Sequence, residues 1–266
     1  MAMRGNDENE KMLRDENRER FGARAAAYRA SPVHGGGEDL DRLIALTAPA
    51  AGIRALDIAT GAGHVAVALA AAGAETTACD LTAKMLEETK ANLAVHGLKA
   101  GLIQADALDL PFAAASFDVA VSRMAPHHFA DPTRFLREVF RVLKPGGRFG
   151  LVDQAAPAGA AAAAAINAFE KLRDPGHNRQ LSLDEWQTLA IATGFTIHSS
   201  EIFRKPLDFD WWTGVQNASE ETRRQLSELL AGSPTEARAW YQPEFRANGL
   251  IAQFTSPHAI LLAVKP

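Results

Sequence analysis

A doubly wound α/β fold with a mostly parallel sheet is predicted by two features of the chain. Apolar, β-rich runs alternate with stretches of helical periodicity, and a glycine-rich turn, Gly61-Ala62-Gly63, follows the first of these runs. Five strands are expected at 53–58, 75–80, 101–105, 117–121 and 148–153, with helices between them at 64–72, 82–96, 131–143 and 158–172.

Local signals mark the boundaries. The glycines free the backbone at the end of the first strand, Thr82 stands where it can cap the second helix, and Asp131-Pro132 begins another in cap-then-proline order. The segment "KPGG" at 144–147 stops that helix before the fifth strand. The alanine-rich run at 155–169 is shorter than a membrane span and reads as a tightly packed surface helix.

Farther on, a helix is expected at 184–193, with Trp186 serving its packing, a strand at 195–203 and a last strand at 259–265. The connection between those two strands, 204–250, is too long for a bare loop in a compact domain. It carries Trp211, Trp212 and Trp240 and helical patterns at 217–231 and 234–247, so it is expected to form a helical cap. Three segments follow: a charged N-terminal tail at 1–34, an α/β domain at 35–203 and 251–266, and the inserted cap at 204–250.

Composition narrows the function classes. Of 266 residues, 47% are hydrophobic and 23% charged, and the net charge is −4. That balance is ordinary for a soluble globular protein, and it weighs against a nucleic-acid partner, which would call for clustered Lys and Arg. A single cysteine, Cys79, permits no intrachain disulfide; it reads as a small buried strand residue in a reducing compartment. The charged N-terminus lacks the apolar core of a signal peptide, so a cytoplasmic location is expected.

The chemistry gathers at strand ends. Gly61, Gly63 and Ala66 fit a G-x-G-x-x-A turn of the kind that holds a dinucleotide, but the strand before it contains Asp57. An ionised acid at the end of a buried strand needs a cation or hydrogen-bond donors, which a positively charged ligand would supply. Asp80 ends the second strand, where a carboxylate can accept both hydroxyls of a ribose, and Asp106 follows the third, where one can accept from an exocyclic amine such as adenine N6. Three acids beside one glycine turn describe a site for an adenosine that also carries a cation.

The stretches "LDIATGAGHVA", "ACDLTAKMLEETKAN", "ADALDLPFAAASFDVAVSRMAPHHF" and "FLREVFRVLKPGGRFGLVD", preceded by "YRASPVH", resemble the class I S-adenosylmethionine-dependent methyltransferases. The branch is similar to the ubiquinone and menaquinone biosynthesis C-methyltransferases. The resemblance implies a Rossmann-like, seven-stranded sheet whose last strand is antiparallel, with S-adenosylmethionine as cofactor and S-adenosylhomocysteine as product. It implies that Asp57, Ala59, Gly61 and Gly63 lie along the methionyl part, that Asp80 binds the ribose and Leu81 packs on the adenine, and that Asp106 and Ala107 hold the adenine edge. It also implies that Arg123 faces cofactor or substrate and that Tyr28 and His34 fold over the cofactor. Where the family carries a third glycine, this chain has His64-Val65.

A methyl transfer needs a base only when the acceptor must lose a proton. His127 and His128, just after the fourth strand, are the candidates, with Arg123 nearby. Adjacent residues of regular structure do not share a face, so at most one of the pair is expected to face the acceptor. His177 reads as a solvated loop residue. No metal site is expected, since the histidines lack a ligating i, i+4 spacing and there is no thiolate cluster. The acceptor is expected to be a small molecule, aromatic or apolar if the tryptophan-bearing cap covers it, and the enzyme a monomer or homodimer. The alternatives are an NAD-dependent oxidoreductase and a non-catalytic S-adenosylmethionine-binding module.

Overall fold

The computed structural model describes residues 12, 14–23, 25 and 36–266. Tyr28 and His34 lie outside them. A helical segment within 12–25 precedes α1 (Glu38–Thr47), and then strands and helices alternate: β1 (Arg54–Ile58), α2 (His64–Ala71), β2 (Glu75–Asp80), α3 (Ala83–Val95), β3 (Gly101–Gln104), β4 (Phe117–Arg123), α4 (Pro132–Val142) and β5 (Leu143–Gln154). The chain continues through α5 (Ala160–Arg173), α6 (Leu183–Thr193), β6 (Thr196–Asp208), α7 (Phe209–Val215), α8 (Glu220–Ala231), α9 (Thr235–Tyr241), β7 (Glu244–Phe245) and β8 (Ile251–Val264).

The sheet runs β3-β2-β1-β4-β5-β8-β6, and the two-residue β7 pairs with β8 outside this path. Strands β1 to β5 pair in parallel, while β8 runs antiparallel to both β5 and β6. The strand order turns outward from β1 in both directions, so the ligand crevice of such a sheet falls at the carboxyl ends of β1 and β4.

Both faces are covered, which is why β1 is buried from Ala55 to Ile58. On one face Leu56, Phe117, Phe135, Phe149, Trp186 and Phe195 form a core with α4 and α6. On the other, Leu43, Val65, Leu69, Val121 and Ile260 pack with α1 and α2. Trp186 and Cys79 are buried in the first core, as their sequence context predicts.

Several boundaries differ from expectation. Strand β8 begins at Ile251, not near 259, and β6 continues to Asp208, with pairing out to Asp208↔Gln253. The segment "IAQFTSPH" mixes polar and apolar residues and so hides a strand whose hydrogen bonds come from pairing. The first residues of the expected insertion are therefore sheet. The helix expected over 234–247 ends at Tyr241, where Gln242 turns left-handed (φ 46°) ahead of Pro243. Within "DFDWWTG", Asp208 accepts from the Trp211 N–H at 2.7 Å and starts the short helix α7. Thr82 stands at the N-cap of α3 without capping it through its side chain.

The insertion has its own core, and α5 belongs to it. Ala162, Ile166 and Phe169 of α5 pack with Trp212, Leu226, Leu230, Tyr241 and Phe254. Phe169 stacks on Trp212 with ring centroids 5.1 Å apart. The alanine-rich helix thus belongs to the core of the insertion, packed against α8 and α9.

Candidate functional site

A cavity of about 470 Å³ runs along the carboxyl edge of the sheet, from the ends of β2 and β3 past β1 and β4 to the paired strands β6 and β8. That volume suits a small-molecule ligand pair.

The first half is built from backbone. Ala59 and Gly61 take left-handed conformations (φ 56° and 55°), and both line the cavity. Nothing lies within 4 Å of where a Cβ on Gly61 would stand, so its bare backbone lies open. Helix α3 holds the turn from below: Thr89 Oγ1 donates to the Gly61 carbonyl at 2.7 Å, and Asn92 Nδ2 donates to that of Ala62 at 3.0 Å. Gly63 does not line the cavity among the described residues. Its role is close packing, because a Cβ there would stand 2.6 Å from Thr89 Cγ2.

Asp57 likewise sits behind the cavity wall. It accepts from Thr60 Oγ1 at 2.6 Å and from the Ala66 N–H, and burial pushes its carboxyl up to about 7. Its donors are thus the turn and the start of α2, which is the physical reason for an acid in a buried strand.

Asp80 does line the cavity. It accepts from the Gly61 and Thr82 N–H groups, each at 2.9 Å, and burial raises its carboxyl while those bonds oppose the rise. Leu81, Asp106 and Ala107 complete this end. Asp106 accepts from the Leu108 N–H at 2.9 Å and pairs with Arg14 at 3.2 Å. Arg14, Asn17 and Phe21 of the N-terminal segment also line the cavity, Phe21 against His128.

The second half is built from side chains. Arg123 is buried on the wall and donates through Nε, at 2.7 Å, to Asp39 of α1, whose carboxylate also takes Lys205 of β6 at 3.3 Å. Burial alone would raise Asp39; the two cations outweigh it and hold the carboxyl below its usual value.

His127 lies in a short 3-10 turn, Pro126–His128. Its Nδ1 is 2.6 Å from Asp153 Oδ1 at the end of β5. Burial lowers the imidazole pKa, but the Asp153 carboxylate more than offsets it and the result is raised. The turn brings both histidines to the cavity, contrary to the expectation that one would face away; the rings are 4.1 Å apart. His128 is nonetheless committed elsewhere, with Nδ1 at 2.9 Å from the Gly176 carbonyl and Phe21 against its ring, and burial together with His127 keeps it neutral.

Another histidine corrects the sequence reading. His177 is buried, not solvated, with Nε2 at 2.9 Å from Asn167 Oδ1. Trp211 and Trp212 reach the cavity wall, whereas Trp240 does not; its Nε1 donates to the Ala155 carbonyl at 2.8 Å. Sequence reasoning missed Asp39, Asp153, Lys205 and His258. Only Asp153 carried a signal, being a fourth acid at a strand end.

A methyltransferase domain model matches residues 56–151. Over 246 residues the chain is 33% identical to the uncharacterized methyltransferase YcgJ of Bacillus subtilis (strain 168), covering 92% of this chain and 97% of that protein. The crystal structure of YcgJ superposes with a TM-score of 0.82 at 32% identity, covering 85% of this chain and 97% of that one. A stretch of 110 residues, 41% of this chain and 44% of the relative, is 41% identical to demethylmenaquinone methyltransferase of Clavibacter sepedonicus. With this fold and this glycine-turn cavity, the chain belongs to the class I S-adenosylmethionine-dependent methyltransferases and is an enzyme of that family.

Proposed function

We propose that this enzyme methylates a small molecule that must lose a proton to react, and that His127 takes that proton. The observation that carries this is the 2.6 Å contact between His127 Nδ1 and Asp153, a carboxylate with no exposure to solvent. A carboxylate there fixes the tautomer with hydrogen on Nδ1, so Nε2 is the nitrogen able to accept a proton, and it stabilises the imidazolium that results.

The residues of the first half fit S-adenosylmethionine. The open backbone at Gly61 allows close approach, Asp80 offers its carboxylate to a ribose, and Leu81, Asp106 and Ala107 suit an adenine edge. Once bound, the cofactor supplies a methyl group on a sulfonium, already activated for transfer. The protein then has to orient the acceptor, exclude water and hold the proton on His127. Trp211 and Trp212 make part of the cavity wall apolar, which favours a small molecule with an aromatic or aliphatic body. Asp57 and Gly63 support the turn from behind the cavity wall.

The test is to incubate the protein with methyl-labelled S-adenosylmethionine and a small-molecule cell extract. Label in a small molecule with wild type but not with His127→Ala, while both bind S-adenosylhomocysteine, supports the proposal. Label at equal rates in both, or only in protein or nucleic acid, contradicts it.

A further inference from the structure

A chain of four buried side chains runs from the core of the insertion to the cavity wall. It begins at Glu170 of α5, whose Oε1 accepts from the Tyr241 hydroxyl at 2.8 Å, while Arg173 stands 3.5 Å from its other oxygen. Gln180 Nε2 donates to the Tyr241 oxygen at 3.2 Å and to Gln154 Oε1 at 3.0 Å. Gln154, the last residue of β5, lines the cavity.

The direction of every bond follows from the carboxylate. Burial raises the Glu170 carboxyl, and Arg173 and the Tyr241 hydroxyl oppose the rise. Ionised, Glu170 can only accept, so the single Tyr241 hydrogen goes to it. The tyrosine oxygen then accepts from Gln180, which has to present its NH2 group there. The second hydrogen of that group reaches Gln154, which has to present its carbonyl. The Gln154 NH2 group is thereby left for the cavity. An exposed glutamine suits either a donor or an acceptor by turning its amide over. Here that turn would set two buried NH2 groups against each other, so the amide stays a donor.

From this chain we infer that Gln154 is a specificity-determining residue: its amide donates to an oxygen of the acceptor molecule, a carbonyl being the simplest case, and Glu170, Tyr241 and Gln180 hold it in that orientation. The inference rests on the methyltransferase reading and adds the kind of atom that the acceptor presents to this wall. Gln154 follows Asp153, the partner of His127, so the donor and the proposed base stand at one strand end. An amine or a hydrocarbon edge at this place leaves a buried donor unanswered, which is how such a site rejects an analogue lacking the oxygen.

The test is a cycle of binding constants. The isotope-labelled full chain, saturated with S-adenosylhomocysteine, is titrated with acetophenone, cyclohexanone and tetralone, and affinities are read from its amide NMR spectra. Each ketone is paired with the hydrocarbon in which a methylene group replaces the carbonyl oxygen. For at least one pair, affinity for the ketone relative to its hydrocarbon is expected to fall about fivefold from wild type to Gln154→Leu and Gln154→Met, the worth of one neutral hydrogen bond. That ketone should also shift the Gln154 side-chain NH2 resonances. Tyr241→Phe keeps Gln154 but frees Gln180 to turn over, and the same ratio is expected to fall by at least about twofold. S-adenosylhomocysteine affinity should stay within about twofold in the Gln154 variants. If no ketone binds, or the ratio is unchanged in both Gln154 variants for every pair, the inference is overturned. An unchanged ratio in Tyr241→Phe would overturn the positioning role of the chain. If the Gln154 variants lose S-adenosylhomocysteine affinity instead, the amide serves the donor and the inference also fails. Failure of wild type to bind S-adenosylhomocysteine at all would strike the underlying methyltransferase reading.

Discussion

The half of the cavity beneath β1, β2 and β3 is formed by turns whose backbone lies open to a ligand, and its carboxylates, Asp80 and Asp106, accept from backbone N–H groups, Asp106 pairing with Arg14 as well. The half beneath β4, β5, β6 and β8 is formed by side chains paired with other side chains: His127 with Asp153, and Arg123 and Lys205 with Asp39. A backbone-built site depends on local conformation, above all on glycine. A side-chain-built site can change its ligand by substitution while the sheet stays intact. On the proposed function, the donor falls to the first half and the acceptor to the second.

The largest expected effect separates the halves by rate. His127→Ala removes the proposed base, and single-turnover transfer at saturating cofactor is expected to fall by about 10²-fold. S-adenosylhomocysteine affinity should hardly change. A near wild-type rate in the folded variant would mean that the acceptor needs no base and that His127 is structural.

The two glycines should fail differently. In Gly63→Ala the new methyl meets Thr89 and the residue sits at φ 82°, so a loss of about 1–3 kcal/mol in stability is expected, read as a lower melting temperature. Gly61→Ala also meets left-handed backbone (φ 55°) but has room for its methyl, so its stability loss is expected to be smaller than that of Gly63→Ala and its main defect is expected in cofactor binding, measured by calorimetry. Equal stability losses in both would erase the distinction between a packing glycine and a ligand-facing one.

Acid should act on the second half first. Burial lowers His258 to about 3, and burial with His127 lowers His128 too, so both are neutral when folded, whereas an unfolded histidine takes its proton near 6.5. The unfolded chain thus binds more protons below that pH. The contribution of these two residues is complete above about pH 6.5 and is lost as pH falls from there toward 3. His127 has the opposite sign: its pKa is raised, so its pairing stabilises most below about pH 6.5 and fades as pH rises through its folded value. Melting curves of wild type, His258→Gln and His127→Gln from pH 5 to 8 would show it. Unchanged pH dependence in the His258 variant would contradict the neutral, buried assignment.

These halves also differ in how far the sequence reveals them. The alternation of strands and helices, the glycine turn and Asp80 were legible because each is specified within a few neighbouring residues. Asp153, Lys205 and His258 are brought together by β8, which pairs antiparallel with both β5 and β6, and Asp39 reaches them from α1 through Lys205 and Arg123. No local pattern announces that convergence. His177 was misread because "RDPGHNR" looks like an exposed turn, yet it is folded under α5, where Lys171 donates to its carbonyl at 2.6 Å.

The separation of the two halves is tested most directly by calorimetric titration of S-adenosylhomocysteine into wild type, Asp80→Ala and His127→Ala. Loss of the Asp80 carboxylate is expected to weaken binding by at least about tenfold, since its bonds to a ribose would be charge-assisted, while His127→Ala should stay within about twofold of wild type. Equal weakening in both variants, or an unchanged affinity in a folded Asp80→Ala protein, would contradict a cavity divided between a backbone-built donor site and a side-chain-built acceptor site.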